Sequence, residues 1–321
     1  MTEKPTWTGP IVDAHQHFWD PFSNNHPWLK PQTMIPFRYG DYSAIKRRYL
    51  PEDYRQDLGS HDVRETVYVE TEWDPATPVE ETRYASALAT REGLPNAIVA
   101  QAWLDRDDAA CVIARQAAFP LVRSVRHKPG GAATPDPVGR EPTLMSNEKW
   151  RRGYAELERH GLHFDLQTPW WNLDAAQKLA RDFPRTLVIL NHAGLPSDRS
   201  ADGLAGWHAA MARFAESPNV RVKISGLGQR GKPWRVQDNR WIVEEIIAMF
   251  GAERAMFASN FPVDSLCASF ELIYSGFKEI AASYPLKDQE RLFCATARSV
   301  YQTSGPMLTF ASPLGGHFCE C

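Results

Sequence analysis

Short apolar runs rich in β-branched residues recur along the chain, each followed by a longer stretch whose apolar positions fall at threes and fours. That alternation is the pattern of βα units and a parallel sheet. Eight such runs occur, at 11–15, 66–70, 97–103, 121–126, 162–167, 186–191, 220–225 and 255–259. Helices are predicted between them at 79–92, 107–118, 148–160, 173–183, 207–216 and 241–250, and two closing helices at 270–284 and 287–301. Eight parallel strands close into a barrel more readily than they spread as an open sheet, so the expected fold is α/β, a (β/α)8 TIM barrel in one domain. The barrel is expected over 10–302 and a C-terminal tail over 303–321.

Two stretches break the rhythm. Residues 18–60, after the first strand, hold Trp19, Trp28, Tyr39, Tyr42, Tyr49 and several prolines, as expected of a lid or pocket wall. Residues 129–142, after the fourth strand, are rich in Gly and Pro.

Composition narrows the setting. With 43% hydrophobic residues, 23% charged residues and a net charge of −3, the chain has no nucleic-acid footprint. No apolar run reaches the roughly 18 residues of a membrane helix, and Met1-Thr2-Glu3-Lys4-Pro5 lacks the apolar stretch of a secretory signal. The expectation is a cytoplasmic protein acting on a small molecule, with no nucleic-acid or membrane partner; an oligomer is compatible. Cys111, Cys267, Cys294, Cys319 and Cys321 are odd in number and scattered, which points to reduced thiols. Cys319 and Cys321 with His317 could chelate a metal, but an idle tail is the preferred reading.

In a TIM barrel the chemistry stands at the C-terminal strand ends. The first strand offers His15 and His17, two positions apart and so projecting on one side. Strand two ends in Glu70 and Glu72, strand four in Arg123, Arg126, His127 and Lys128, and strand five in Asp165 and Gln167 before Trp170 and Trp171. Strand six brings Asn191 and His192, strand seven Lys223 and Ser225, and strand eight Asn260 with Asp264 beyond it. Arg123 and Arg126 differ by an odd number of positions, so only one faces the pocket; Arg126 lies nearer the rim and is preferred as the anchor for a carboxylate.

On these residues the chain resembles the amidohydrolase superfamily, in the branch that includes 2-pyrone-4,6-dicarboxylate lactonase and sugar-acid lactonases. The carriers are Val12-Asp13-Ala14-His15-Gln16-His17-Phe18-Trp19-Asp20, Val122-Arg123-Ser124-Val125-Arg126-His127, Asn191-His192-Ala193-Gly194, Lys223-Ile224-Ser225-Gly226-Leu227 and Phe257-Ala258-Ser259-Asn260-Phe261-Pro262-Val263-Asp264. Metal-dependent members carry an HxH pair, a lysine or glutamate on strand four, histidines on strands five and six, and an aspartate on strand eight. Here His15, His17 and His192 match, Gln167 stands where a histidine is expected, strand four offers no lysine bridge, and Asn260 replaces the aspartate.

The resemblance implies a hydrolase that opens a small cyclic ester, the lactone of a sugar acid or of a carboxylated ring-cleavage product. His15, His17, His192, Glu72 and Asn260 are the catalytic candidates; Arg126, His127, Gln167, Trp170 and Asp264 are the substrate-binding ones. His15 and His17 would polarise the carbonyl, bare or through a weakly held zinc or manganese ion, and the metal-independent reading is preferred. A neutral amide cannot be a base, so His192 and Glu72 are ranked above Asp264 for that role. Two rivals stand: a C–N hydrolase or metal-dependent decarboxylase of the same superfamily, and a ligand-binding barrel in which Asn260 has reduced catalysis.

Overall fold

Residues 5–135 and 142–304 are described by a computed structural model of the chain. Eight parallel strands pair in sequence order: β1 (Ile11–Gln16), β2 (Val63–Val69), β3 (Ala97–Gln101), β4 (Val122–Arg126), β5 (His163–Leu166), β6 (Val188–Leu190), β7 (Val220–Ile224) and β8 (Ala255–Phe257). The fold is the expected (β/α)8 TIM barrel. β1 and β3 are buried at every position, as strands covered on both faces must be.

The barrel closes at the β1–β8 seam. His17 N–H donates to Phe261 O at 2.8 Å and Asn260 N–H to His15 O at 2.8 Å. Buried Asp13 holds the same seam, accepting from Ser259 N (2.8 Å), Ser259 Oγ (2.6 Å) and Tyr54 OH (2.8 Å). Closure therefore sets β1's histidines beside Asn260.

Helix α1 (Pro51–Asp57) lies within the long loop; α2 (Pro78–Glu92), α3 (Ala109–Ala117), α4 (Glu148–Arg159), α5 (Leu173–Asp182), α6 (Ala201–Ala215) and α7 (Val236–Phe250) follow β2 to β7. After β8 come α8 (Phe270–Ala281), α9 (Leu286–Glu290) and α10 (Thr296–Tyr301). α6 begins six residues before the predicted start at 207, because Ser200 Oγ caps Gly203 N–H at 3.1 Å; the apolar periodicity alone hides a start that a cap supplies.

The loop over 18–60 is an ordered wall with its own aromatic core. Trp19, Tyr42, Tyr49 and Tyr54 are buried, Trp19 Nε1 donates to Ile45 O and Arg47 O at 3.1 Å each, and Trp28 stacks on Phe37 with centroids 5.8 Å apart.

Two sequence expectations change. Cys111 is disulfide-bonded, whereas Cys267 and Cys294 are free, so the reading of five reduced thiols is corrected. The tail beyond Ser304, with His317, Cys319 and Cys321, lies outside the described residues. Among the described residues no helix is long and apolar enough to cross a membrane.

Candidate active site

The chain leaves β2, β6 and β8 through left-handed backbone at non-glycine residues: Glu72 (φ 59°), His192 (φ 52°) and Asn260 (φ 56°). Such conformations cost of order 1–3 kcal/mol each and persist where the surroundings enforce them. Here they turn three polar side chains over the barrel mouth.

A cavity of about 220 Å³ opens there, and His17, Glu72, Arg126, Gln167, His192 and Asn260 all line it. The long loop supplies the facing wall through Trp28, Phe37 and Arg38, and the β4 end adds Lys128. Six of the ten residues singled out by sequence thus converge. His15 does not reach this lining; it is fully buried, its ring 5.0 Å from that of His17 and 4.6 Å from that of His192. Both of its ring nitrogens lack a partner among the described residues.

Hydrogen-bond polarity defines His17. Its Nδ1 lies 2.7 Å from Val69 O, which can only accept, so Nδ1 carries the proton. Its Nε2 lies 3.3 Å from Asn260 Oδ1, and Asn260 Nδ2 donates to Asp264 Oδ1 at 2.7 Å, which orients that amide. Burial, and then the charge of Arg126, lower the His17 pKa to about 3, so the ring is neutral and Nε2 is a lone pair. Two acceptors therefore face one another across the seam. In this tautomer Nε2 accepts a hydrogen bond or could hold an ion, and it has no N–H to offer directly to a carbonyl oxygen.

His192 is also held neutral, by burial first and then by Arg38 and Arg126. Its Nδ1 sits 2.9 Å from Ser225 Oγ, a hydroxyl that can donate or accept. Gly226 (φ +62°) permits this packing, since a Cβ there would lie 3.0 Å from both Arg38 Nη1 and His192 Cβ.

The charges are largely matched. Arg126, 4% exposed, donates from Nε to Glu70 Oε1 (2.5 Å), from Nη2 to Glu70 O (2.5 Å) and from Nη1 to Gln167 Oε1 (3.0 Å). Lys128 pairs with Glu72; burial pushes the Glu72 carboxyl up, but Lys128 overcomes it and the net shift is downward, which makes Glu72 a weak base. Arg38 donates to Gly226 O and, among the described residues, has no carboxylate within ion-pair distance. It is a cation available to a negatively charged group in the cavity.

These residues do not fit a resident metal. Zinc of ordinary affinity takes three or four protein ligands, and among the described residues no cluster of three His, Cys, Asp or Glu is placed to hold one. The nearby carboxylates are engaged: Glu70 by Arg126, Glu72 by Lys128, and Asp264 by Tyr39 OH (2.9 Å) and Asn260. The same cations that lower the histidine pKa values, Arg126 and Lys223 among them, repel a further cation.

Three sequence-predicted binders sit elsewhere. Trp170 packs against Gly206 of α6 and lines neither this cavity nor its neighbour among the described residues; the tight turn after β5 directs the indole outward onto the helix. His127 lines a neighbouring cavity, not this one. Asp264 is buried behind Asn260 and acts on it, not on the space. Sequence reasoning missed Arg38, whose only signal was its place in the aromatic loop.

A family model described as Amidohydrolase matches residues 12–303. An uncharacterized protein, y4mH, of Sinorhizobium fredii is 37% identical over 91% of this chain and 98% of its own length. The L-fucono-1,5-lactonase of Burkholderia ambifaria is 32% identical, over 81% of this chain and 82% of its own. A solved amidohydrolase of Burkholderia multivorans with bound zinc superposes with a TM-score of 0.77 at 23% identity, covering 92% of this chain and 99% of that one. On the match across nearly the whole barrel, the chain belongs to the amidohydrolase family.

Proposed function

We propose that the protein hydrolyses a small lactone, the cyclic ester of a hydroxylated or carboxylated acid. The observation that carries this reading is the facing pair of acceptors, His17 Nε2 and Asn260 Oδ1. A water satisfies both by donating one O–H to each, and its oxygen lone pair then points at the carbonyl carbon. The 32% identical lactonase supports the choice of ester.

Attack forms the C–O bond and sends one water proton to His17 Nε2. Arg126 has used three of its five N–H groups, and with Arg38 it stabilises the oxyanion. Negative charge there offsets the cation that depresses His17, so the imidazole's proton affinity rises as the oxyanion develops. The ring C–O bond then breaks, the departing oxygen takes the proton that His17 accepted, with neutral His192 beside it in the same cavity, and the carboxylic acid so formed loses its remaining water-derived proton to solvent, Arg38 holding the carboxylate. Glu72, bound to Lys128, orients that cation and is not the base. No step calls for a resident metal, which sets this reading apart from the metal-dependent decarboxylase and C–N hydrolase alternatives.

The test is proton release from a panel of sugar-acid and carboxylated lactones, with and without a chelator. Ring opening above the buffer rate and insensitive to chelator is expected. Failure to open any lactone, or activity abolished by chelator and restored by zinc or manganese, overturns the proposal.

A further inference from the structure

Tyr39 is buried and stands behind the cavity wall that Arg38, its neighbour in the chain, helps to form. Its hydroxyl donates to Asp264 Oδ1 at 2.9 Å, the same oxygen that accepts from Asn260 Nδ2 at 2.7 Å. Burial raises the phenol's pKa well above its ordinary value, so the group stays a donor. It has little room to turn away: a Cβ on Gly228 would lie 3.2 Å from this hydroxyl, and the Arg38 guanidinium lies over the Tyr39 ring, 4.5 Å from its centroid.

The Asn260 amide has two ways to face His17. Reversed, its Nδ2 would donate to His17 Nε2 and satisfy the pair without a water. That local bond favours the reversed amide, so the observed orientation is held from the other side, by a charged acceptor on Nδ2. A neutral Asp264 would instead donate from its carboxyl to a reversed Asn260, so the hold lasts only while the carboxylate is charged. Burial pushes Asp264 up toward its neutral form; Arg38, Asn260, Tyr39 and the Gly226 backbone oppose it, and Cys267 is a further titratable group beside it. The Tyr39 hydroxyl thus stabilises the charge of Asp264 on the very oxygen that holds Nδ2.

We propose that Tyr39 is a positioning residue: acting through Asp264, it keeps the Asn260 oxygen rather than its N–H turned toward His17, and so ties the docking of the long loop to the readiness of the water site. The proposal rests on the lactone reading above.

The experiment measures kcat, KM and affinity for the product acid in Tyr39→Phe, alone and combined with Asn260→Ala, on a lactone that the wild type opens. Phenylalanine keeps the ring beneath Arg38 and removes only the hydroxyl. In the single variant kcat is expected to fall by about tenfold, with KM and product Kd within about twofold of wild type. Added to Asn260→Ala, the same change is expected to cost nothing further, because its effect runs through that amide. An unchanged kcat in Tyr39→Phe, or an equal loss in both backgrounds, overturns the proposal, since a role in the fold alone would act with or without the amide. Should no lactone open, which would overturn the lactone reading, or should Asn260→Ala be too slow to measure, the side-chain amide of Asn260 decides by 1H–15N NMR, its resonances assigned by their loss in Asn260→Ala. Exchange of those protons with water about tenfold or more faster in Tyr39→Phe than in wild type supports the positioning role; equal exchange overturns it.

Discussion

His17 Nε2 and Asn260 Oδ1 stand 3.3 Å apart, one on each side of the barrel seam, and both are acceptors. The arrangement is built from behind: Val69 O accepts from His17 Nδ1–H and Asp264 orients the Asn260 amide. The pair is completed by a molecule with two O–H donors, which is what the reaction requires of its water.

Replacing Asn260 by Asp sets a second carboxylate against Asp264, where Nδ2 now donates at 2.7 Å. Two carboxylates that close share a proton. Asn260→Asp is expected to lower kcat by about tenfold or more at neutral pH, with partial recovery on acidification, whereas Asn260→Ala loses activity without recovery. A pH–rate profile separates the two; unchanged activity in Asn260→Asp would contradict the assignment.

Arg38 touches charge that appears late in the reaction. Arg38→Met is expected to weaken binding of the product hydroxy acid by about ten- to a hundredfold, in line with loss of a charge-assisted hydrogen bond. Calorimetry with the acid checks this, and an unaltered Kd would assign the anion elsewhere.

Acid sensitivity follows from the buried imidazoles. His17 and His127 titrate at about 3 and about 4 in the folded protein, lowered by burial from 6.5. Between those values and 6.5 the unfolded chain binds protons that the folded chain does not, so stability falls as pH drops below 6.5, by up to about 1.4 kcal/mol per pH unit per group. Asp13 and Asp264, raised by burial, act in the opposite sense near the acid end of that window. The comparison is therefore differential: Tm between pH 7 and 5 (roughly spanning the upper titration) should fall less steeply in His17→Gln than in wild type. Parallel slopes would mean that His17 is protonated in the fold.

Beneath the site, Lys223 Nζ lies 2.6 Å from Asp165 Oδ1 with both side chains fully buried, and Asp165 also accepts from Tyr301 OH and Asn191 Nδ2. Lys223→Met leaves a buried carboxylate without its cation and should cost about 3–5 kcal/mol. Adding Asp165→Asn should restore part of that loss in chemical denaturation; additive losses would deny the coupling.

The strands were legible because each is a short apolar run with a turn on either side, and His17, His192 and Asn260 were legible because they end three of those runs. What stayed hidden depends on contacts distant in sequence. The His17 tautomer is set by Val69, across the β1–β2 pairing, so two histidines spaced as an HxH pair diverge into one that lines the cavity and one buried below it. Arg38 enters the site only because the aromatic core of the loop over 18–60 folds it back onto Gly226. Trp170 had the right strand end, but the turn after β5 lays its ring on Gly206.

The acceptor pair is tested most directly by the turnover of His17→Gln on the best lactone in the panel, alongside its affinity for the product acid. The glutamine amide can still donate to Val69 O but offers no imidazole lone pair toward Asn260. A fall in kcat of about a hundredfold or more with near-normal product binding is predicted; turnover within about twofold of wild type would contradict the role assigned to His17.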